Sequence, residues 1–297
     1  MDGVDALLER HAGAARAAEL AAAGSYDHAL DAALSEAGFD QVLTEIGPLE
    51  AALVVERVAF AAGSCAIAGS ALIAPAVAGR PLAGPVAITQ ATEGGPVRYA
   101  AAARSLLVAD GGLARVVSLE PGDATSVRSN FGYPMARLGA AARGRGESLG
   151  PGSGERLAAW WRVARAAECL GAMDAALGFT VRYLSEREQF GRPIGSFQAV
   201  QHRLADCAVR VQATRWLVYE TAAKGAPEEE AAACVAYATL AAGHVHRETH
   251  QLSGAIGYTT EHDLHVWSMR LQALRLEQGG AGAQLRALAG SRWGAPV

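Results

Sequence analysis

Glu186-Arg187-Glu188-Gln189-Phe190-Gly191-Arg192-Pro193-Ile194-Gly195-Ser196-Phe197-Gln198 is the stretch on which the reading of this chain turns. Gly191, Pro193 and Gly195 interrupt helical patterning that runs up to it and resumes after it, so it reads as the turn of a helix hairpin. A turn by itself does not require Arg187, Phe190 and Gln198 together. They offer a cation for a phosphate, a ring for stacking and an amide for a base edge, a set suited to a dinucleotide. Taken singly, Arg187 and Gln198 are also what a solvated helix turn carries.

Outward from this turn the C-terminal half is almost continuously helical in pattern, with helices expected over roughly 155–186, 198–224, 227–252 and 262–288. The second is the clearest. Val200, Leu204, Cys207, Val211, Thr214 and Val218 alternate three and four apart and make a narrow seam facing neighbouring helices. Short connections imply an antiparallel four-helix bundle. Toward the N-terminus, helical spacing from Asp27 to about Val77 is broken at Gly38-Phe39 and Gly47-Pro48. Between them lie short β-type runs, at Pro85-Val86-Ala87-Ile88-Thr89, Val97-Arg98-Tyr99-Ala100, Ser105-Leu106-Leu107-Val108 and Ala114-Arg115-Val116-Val117-Ser118-Leu119. The Gly-, Arg- and Ser-rich stretch from Ala140 to Gly154 reads as a linker. The expected fold class is therefore α+β, mainly α: an N-terminal helical domain (1–80), a small middle β-domain (81–145) and a C-terminal four-helix bundle (150–297).

With 297 residues the chain is long enough for two or three packed subdomains. It is 51% hydrophobic, yet no apolar run approaches the ~20 residues that span a bilayer. Met1-Asp2-Gly3-Val4-Asp5 carries acid where a secretory signal carries base, which makes no membrane and a cytoplasmic location the expectation. A net charge of -4 argues against a nucleic-acid partner, which needs a concentrated basic face. Cys65, Cys169, Cys207 and Cys234 are scattered among Ala, Val and Leu and read as buried free thiols. His246 and His250 stand four apart, but the Glu between them is misplaced for a zinc protease and no third ligand is evident, so no metal is expected. Gly279-Gly280-Ala281-Gly282 follows a helical pattern and not a strand, so it is no dinucleotide fingerprint. Trp160-Trp161, Trp216 and Trp267 read as core or interface.

Glu186 to Gln198, followed by Gln201-His202-Arg203-Leu204-Ala205-Asp206, resembles the signature of the acyl-CoA dehydrogenase C-terminal domain. A second motif of that family is matched by His250-Gln251-Leu252-Ser253-Gly254-Ala255-Ile256-Gly257-Tyr258-Thr259-Thr260-Glu261. The resemblance implies FAD as cofactor, held at its pyrophosphate and adenosine end by residues of a neighbouring subunit. Carried over position by position, Arg187, Gln189, Phe190, Phe197, Gln198, Gln251 and Gly254 become the FAD contacts. The N-terminal half resembles the family more loosely and is shortened. The family's Thr-Glu-Pro-Gly-type loop and Trp-Ile-Thr-type strand, which touch the flavin ring, are absent, with Thr89-Gln90-Ala91-Thr92-Glu93 at best a remnant.

Acyl-CoA dehydrogenation removes an α-proton as a β-hydride leaves for the flavin, and so needs a positioned carboxylate. The two places from which the family supplies it fall here on Gln278 (or Gly279) and on Trp161, none of which takes a proton. Glu277 and Glu168 are the substitutes nearest those positions. Their plainer reading is an exposed carboxylate at a helix end for Glu277 and a pairing with Arg165 for Glu168. The resemblance thus implies a subunit that completes a site with a second acyl-CoA dehydrogenase-like subunit, in a heterotetramer, acting on an acyl-CoA and passing electrons to an electron-transferring flavoprotein. Actinobacterial members of the family include such heteromers, acting on CoA thioesters of steroid side chains or rings. The rivals are a self-sufficient homomer using Glu277 or Glu168, and a helical interaction protein without flavin.

Overall fold

The computed structural model describes residues 2–92 and 94–294. Five helices come first: α1 (Asp2–His11), α2 (Ala14–Ala23), α3 (His28–Glu36), α4 (Val42–Glu45) and α5 (Pro48–Phe60). Each boundary has a local cause. The Asp27 carboxylate accepts from the Leu30 amide to cap α3, and α5 opens on Pro48, whose missing N–H costs nothing at a first helical position. A π-helical turn (Ala68–Ile73) runs directly into α6 (Ala74–Ala78).

The β region holds β1 (Val86–Gln90), β2 (Val97–Arg98), β3 (Ser105–Asp110), β4 (Leu113–Ser118), β5 (Ala124–Val127) and β6 (Met135–Leu138), then a short helix α7 (Ala140–Gly144) and β7 (Glu147–Pro151). One sheet has the order β1-β3-β4-β7 and a second β2-β6-β5. β1 and β3 run parallel and the other pairs antiparallel. The apolar run of β3 is buried from Ser105 to Val108, as a central strand covered on both faces requires. The linker expected over 140–154 is not one. β7 pairs with β4, Arg115 opposite Ser148 and Val116 opposite Glu147, so a Gly- and Ser-rich segment becomes an edge strand through its partner's hydrogen bonds. Thr89 and Gln90 of the expected loop remnant lie in β1, and its Glu93 falls outside the described residues.

The C-terminal bundle consists of α8 (Ser153–Glu186), α9 (Gln198–Ala223), α10 (Glu228–Ser253), α11 (Leu264–Leu276) and α12 (Gly280–Trp293). A two-strand turn, β8 (Glu188–Gln189) against β9 (Arg192–Pro193), joins α8 to α9. The mainly helical α+β fold expected from the sequence is the one present, with the α9 seam of Cys207, Val211, Thr214 and Val218 fully buried. All four cysteines are free and buried. The fourth bundle helix is not continuous. Glu277 to Gly279 forms a tight turn in which Gln278 has φ 50° and Gly279 φ 75°, and the chain restarts as α12. That break swings Glu277 and Gln278 inward.

α8 is the axis of the molecule, packing against α5, α9, α10 and α11. Its alanines and Gly171 let neighbours approach closely; a Cβ on Gly171 would stand 2.1 Å from the Glu56 carbonyl oxygen of α5. Glu56 itself is buried and held by Arg215 Nε (3.3 Å) and the Tyr219 hydroxyl (2.8 Å), which ties α5 to α9. No helix among the described residues is long and apolar enough to cross a membrane.

Candidate active site

A cavity of about 310 Å³ opens where the π-helical turn, β1, β2, α8 and the end of α11 converge. Its walls are chiefly small or apolar, among them Ala68, Gly69, Ile88, Phe131, Met135 and Ala164. Gly69 is required there, since a Cβ would lie 2.2 Å from the Val86 carbonyl oxygen of β1. Trp161, Glu168, Glu277 and Gln278 all line this space, so the structure brings together residues that the sequence places far apart. Gly279 is not among the lining residues.

One guanidinium organises the polar end. Arg98 of β2 donates from Nη1 to Glu168 Oε1 and from Nη2 to Glu168 Oε2, both at 2.8 Å. Its Nη2 also reaches Glu277 Oε2 at 3.2 Å, and its Nε lies 2.5 Å from Glu277 Oε1. The same guanidinium stacks 4.8 Å over Tyr133. Both plainer expectations are therefore corrected. Glu168 pairs with Arg98 and not with Arg165, and Glu277 is drawn inside with a side chain only 19% exposed. The reason is the α11–α12 break, which turns Glu277 away from solvent. Arg165 is fully buried and donates instead to the Glu277 backbone carbonyl.

Two carboxylates on one buried guanidinium leave a charge excess. Burial pushes the Glu277 carboxyl above its ordinary range, against the pull of Arg98 and with the push of Glu168. Burial works to lower Arg98, but the two carboxylates outweigh it and raise it. Every carboxylate oxygen of the pair is occupied by a donor, which is the geometry of a structural ion pair and not of a base awaiting a proton. Behind the cavity, Arg162 Nε donates to Gln284 Oε1 and Gln284 Nε2 to the Gln278 carbonyl, both at 2.8 Å. The Gln278 side-chain oxygen is buried with no donor among the described residues.

The hairpin residues sit at the opposite end of α8. Arg187, Gln189 and Gln198 are exposed, and Phe197 is half-buried under Arg192, whose guanidinium lies 4.0 Å from its ring. Phe190 is 92% exposed with φ 57°, a left-handed backbone that a bulky side chain rarely adopts. The second motif shares this end of the bundle. Gln251 and Gly254 are exposed where α10 stops, and His262 just beyond packs against Phe179 and Tyr183 of α8. Gly254, at φ 68° and ψ -150°, occupies a conformation open essentially to glycine alone. His246 and His250 stack at 4.5 Å beneath this turn, and no cluster of three metal-ligating side chains exists among the described residues. From Trp161 to Arg187 the helix rises roughly 39 Å at about 1.5 Å per residue. From Glu168, which also lines the cavity, the rise to Arg187 is roughly 28 Å at the same rise of about 1.5 Å per residue.

Arg98 is the organising residue that sequence reasoning missed. It read as one member of a β-run, and its partners lie 70 and 179 positions away. A lone Arg between Val97 and Tyr99 in an otherwise apolar strand was the one available signal.

Residues 155–291 match the family model for the acyl-CoA dehydrogenase C-terminal domain. That match covers a little under half of the chain, and the chain as a whole shares the fold of solved acyl-CoA dehydrogenases. It is 39% identical over 153 residues to acyl-CoA dehydrogenase IpdE2 of Mycolicibacterium smegmatis, covering 51% of this chain and 48% of that one. The chain thus spans about half the length of that relative. The IpdE2 of Mycobacterium tuberculosis is 44% identical over 105 residues, 35% of this chain and 33% of that one. In three dimensions the chain resembles one from the ChsE4-ChsE5 complex of Mycobacterium tuberculosis, with TM-score 0.79 and 22% identity over 99% of this chain and 96% of that. It also resembles one from the Tcur3481-Tcur3483 steroid ACAD, with TM-score 0.82 and 24% identity over 96% and 94%. At such identities these two likenesses speak for the fold alone.

Proposed function

We propose that this chain is the subunit of an FAD-dependent acyl-CoA dehydrogenase that helps to hold the cofactor but does not abstract the proton, working in a heterotetramer with a second acyl-CoA dehydrogenase-like subunit. The observation that carries this is the state of the cavity. The family's base positions hold Trp161 and Gln278, and the two carboxylates that could replace them are both clamped by Arg98. A carboxylate whose two oxygens both accept from a guanidinium is stabilised in its charged form and takes up a proton less readily.

The separation along α8 supports a shared site. A flavin whose adenosine end rests on Arg187, Gln189, Phe190, Phe197, Gln198, Gln251 and Gly254 has its ring at another chain's cavity. The residues fit such a group: an outward guanidinium for phosphate, an uncovered ring at Phe190 for stacking, and a glycine at position 254 that admits close approach. When bound, FAD supplies the acceptor for the substrate's hydride. We take residues 1–80, 81–145 and 150–297 as the three domains, with the last carrying these contacts and the assembly surface. The substrate is read as a CoA thioester undergoing α,β-desaturation, with a steroid-derived acyl group favoured by the names of the similar proteins. The electron acceptor is an electron-transferring flavoprotein and the location cytoplasmic, both on the family's usual pattern.

The test is a Glu168→Gln, Glu277→Gln double variant in the assembly with its partner. Turnover within about twofold of the parent is expected. A loss of a thousandfold or more with flavin still bound would show that this chain supplies the base. One observation favours that second reading, a self-sufficient enzyme: Glu277 is a buried carboxyl of raised proton affinity lining a cavity, as a general base is.

A further inference from the structure

We infer that the cavity binds an uncharged, largely apolar guest carrying one hydroxyl or N–H donor, and holds it without turning it over; the last clause rests on the reading just given.

Three features select such a guest. The volume of about 310 Å³ lies at the lower end of small-molecule pockets, and its walls from Ala68, Gly69, Ile88, Phe131, Met135 and Ala164 offer apolar surface that loses water on binding. The charges at the polar end are spent on one another. Four donor contacts of Arg98 go to Glu168 and Glu277, so an anionic guest finds no free fork and meets two carboxylates at close range. A cation would have to displace Arg98 from both. Of the unpartnered buried polar atoms near this end, Arg162 Nη1 and Arg165 Nε and Nη2 belong to residues outside the cavity lining, whereas the Gln278 side-chain oxygen belongs to a lining residue that is about nine-tenths buried, and has no donor among the described residues. A buried acceptor left unpaired is costly, and a guest hydroxyl or N–H placed against it removes that cost. The α11–α12 turn fixes this acceptor in place, because the Gln278 backbone carbonyl is held by Gln284 and that glutamine by Arg162.

The experiment titrates the full chain with decahydro-2-naphthol and, in parallel, with decahydronaphthalene-2-carboxylate, following heat and melting temperature. We expect saturable binding of the alcohol at one per chain, a rise in melting temperature of a few degrees, and at least tenfold weaker binding of the carboxylate. Ala273→Leu, at a half-buried lining position, should abolish the binding by filling the space. Gln278→Met should weaken the alcohol about tenfold, the effect of one lost hydrogen bond. No saturable binding by the parent chain overturns the inference, as does a carboxylate that binds equally well. Undiminished binding by Gln278→Met overturns it too, even if the leucine variant does not fold. The alcohol should be recovered unaltered. Failure here leaves the partner-subunit reading standing, since that is judged by flavin content and turnover; an active homomer would sink that reading while leaving guest binding intact.

Discussion

At the scale of single residues, Arg98 decides what the cavity is. Its guanidinium satisfies two buried carboxylates at once, so its removal would strand both in a space lined mainly by apolar groups. Breaking a buried ion pair by deleting one partner costs about 3–5 kcal/mol. An Arg98→Met variant should therefore lose stability on that scale in urea denaturation, whereas Glu277→Gln, which relieves the charge excess, should lose far less. Equal stability of Arg98→Met and the parent would mean that the carboxylates are solvated and free. The residues that bracket this cluster were legible unevenly. Trp161 and Gln278 could be placed only by counting from the motifs that resemble the acyl-CoA dehydrogenases, and both line the cavity. Arg98 could not, because a strand position carries no trace of partners 70 and 179 residues distant.

Between elements, the closest fit is the crossing of α5 and α8. Gly171→Ala would put a methyl group 2.1 Å from the Glu56 carbonyl oxygen and force the helices apart, straining the bonds from Glu56 to Arg215 and Tyr219. A loss of about 1–3 kcal/mol is expected from overpacking of this kind, read as a shift in denaturation midpoint. The end of α10 carries a pH effect. Burial lowers His246 to about 4, with His250, Arg275 and Arg247 acting in the same direction, and burial lowers His250 and His262 as well. The unfolded chain takes up protons at these sites near 6.5 while the folded chain resists until lower pH, so stability is present above about pH 6.5 and falls as pH drops toward 4. His246→Phe should flatten that slope in melting curves; an unchanged slope would assign it to carboxylates elsewhere. Helices α8, α9 and α10 were readable because apolar spacing survives in long segments. The edge strand β7 and the break between α11 and α12 were not. The first is made by pairing with β4. The second is made by a left-handed Gln278 followed by Gly279 and Gly280, which a helical pattern running through the site conceals.

For the whole molecule, we propose that the chain carries the two ends of two different sites. Its hairpin and α10 turn are exposed at one end of the bundle, and its cavity is lined by the first half of α8, from Trp161 to Glu168, roughly 28–39 Å away along that helix at about 1.5 Å per residue. In the mixed assembly Arg187→Ala should lower retained FAD several-fold on gel filtration, by loss of a charge-assisted phosphate contact, while leaving the subunit ratio unchanged. Unchanged flavin content would count heavily against the contacts assigned to the hairpin. The most direct measurement is the visible absorption spectrum together with the native mass, taken on this chain alone and after co-expression with a full-length acyl-CoA dehydrogenase-like partner. Colourless protein alone and a yellow heterotetramer with the partner are expected; a yellow homomer that bleaches with acyl-CoA would overturn the partner-subunit reading.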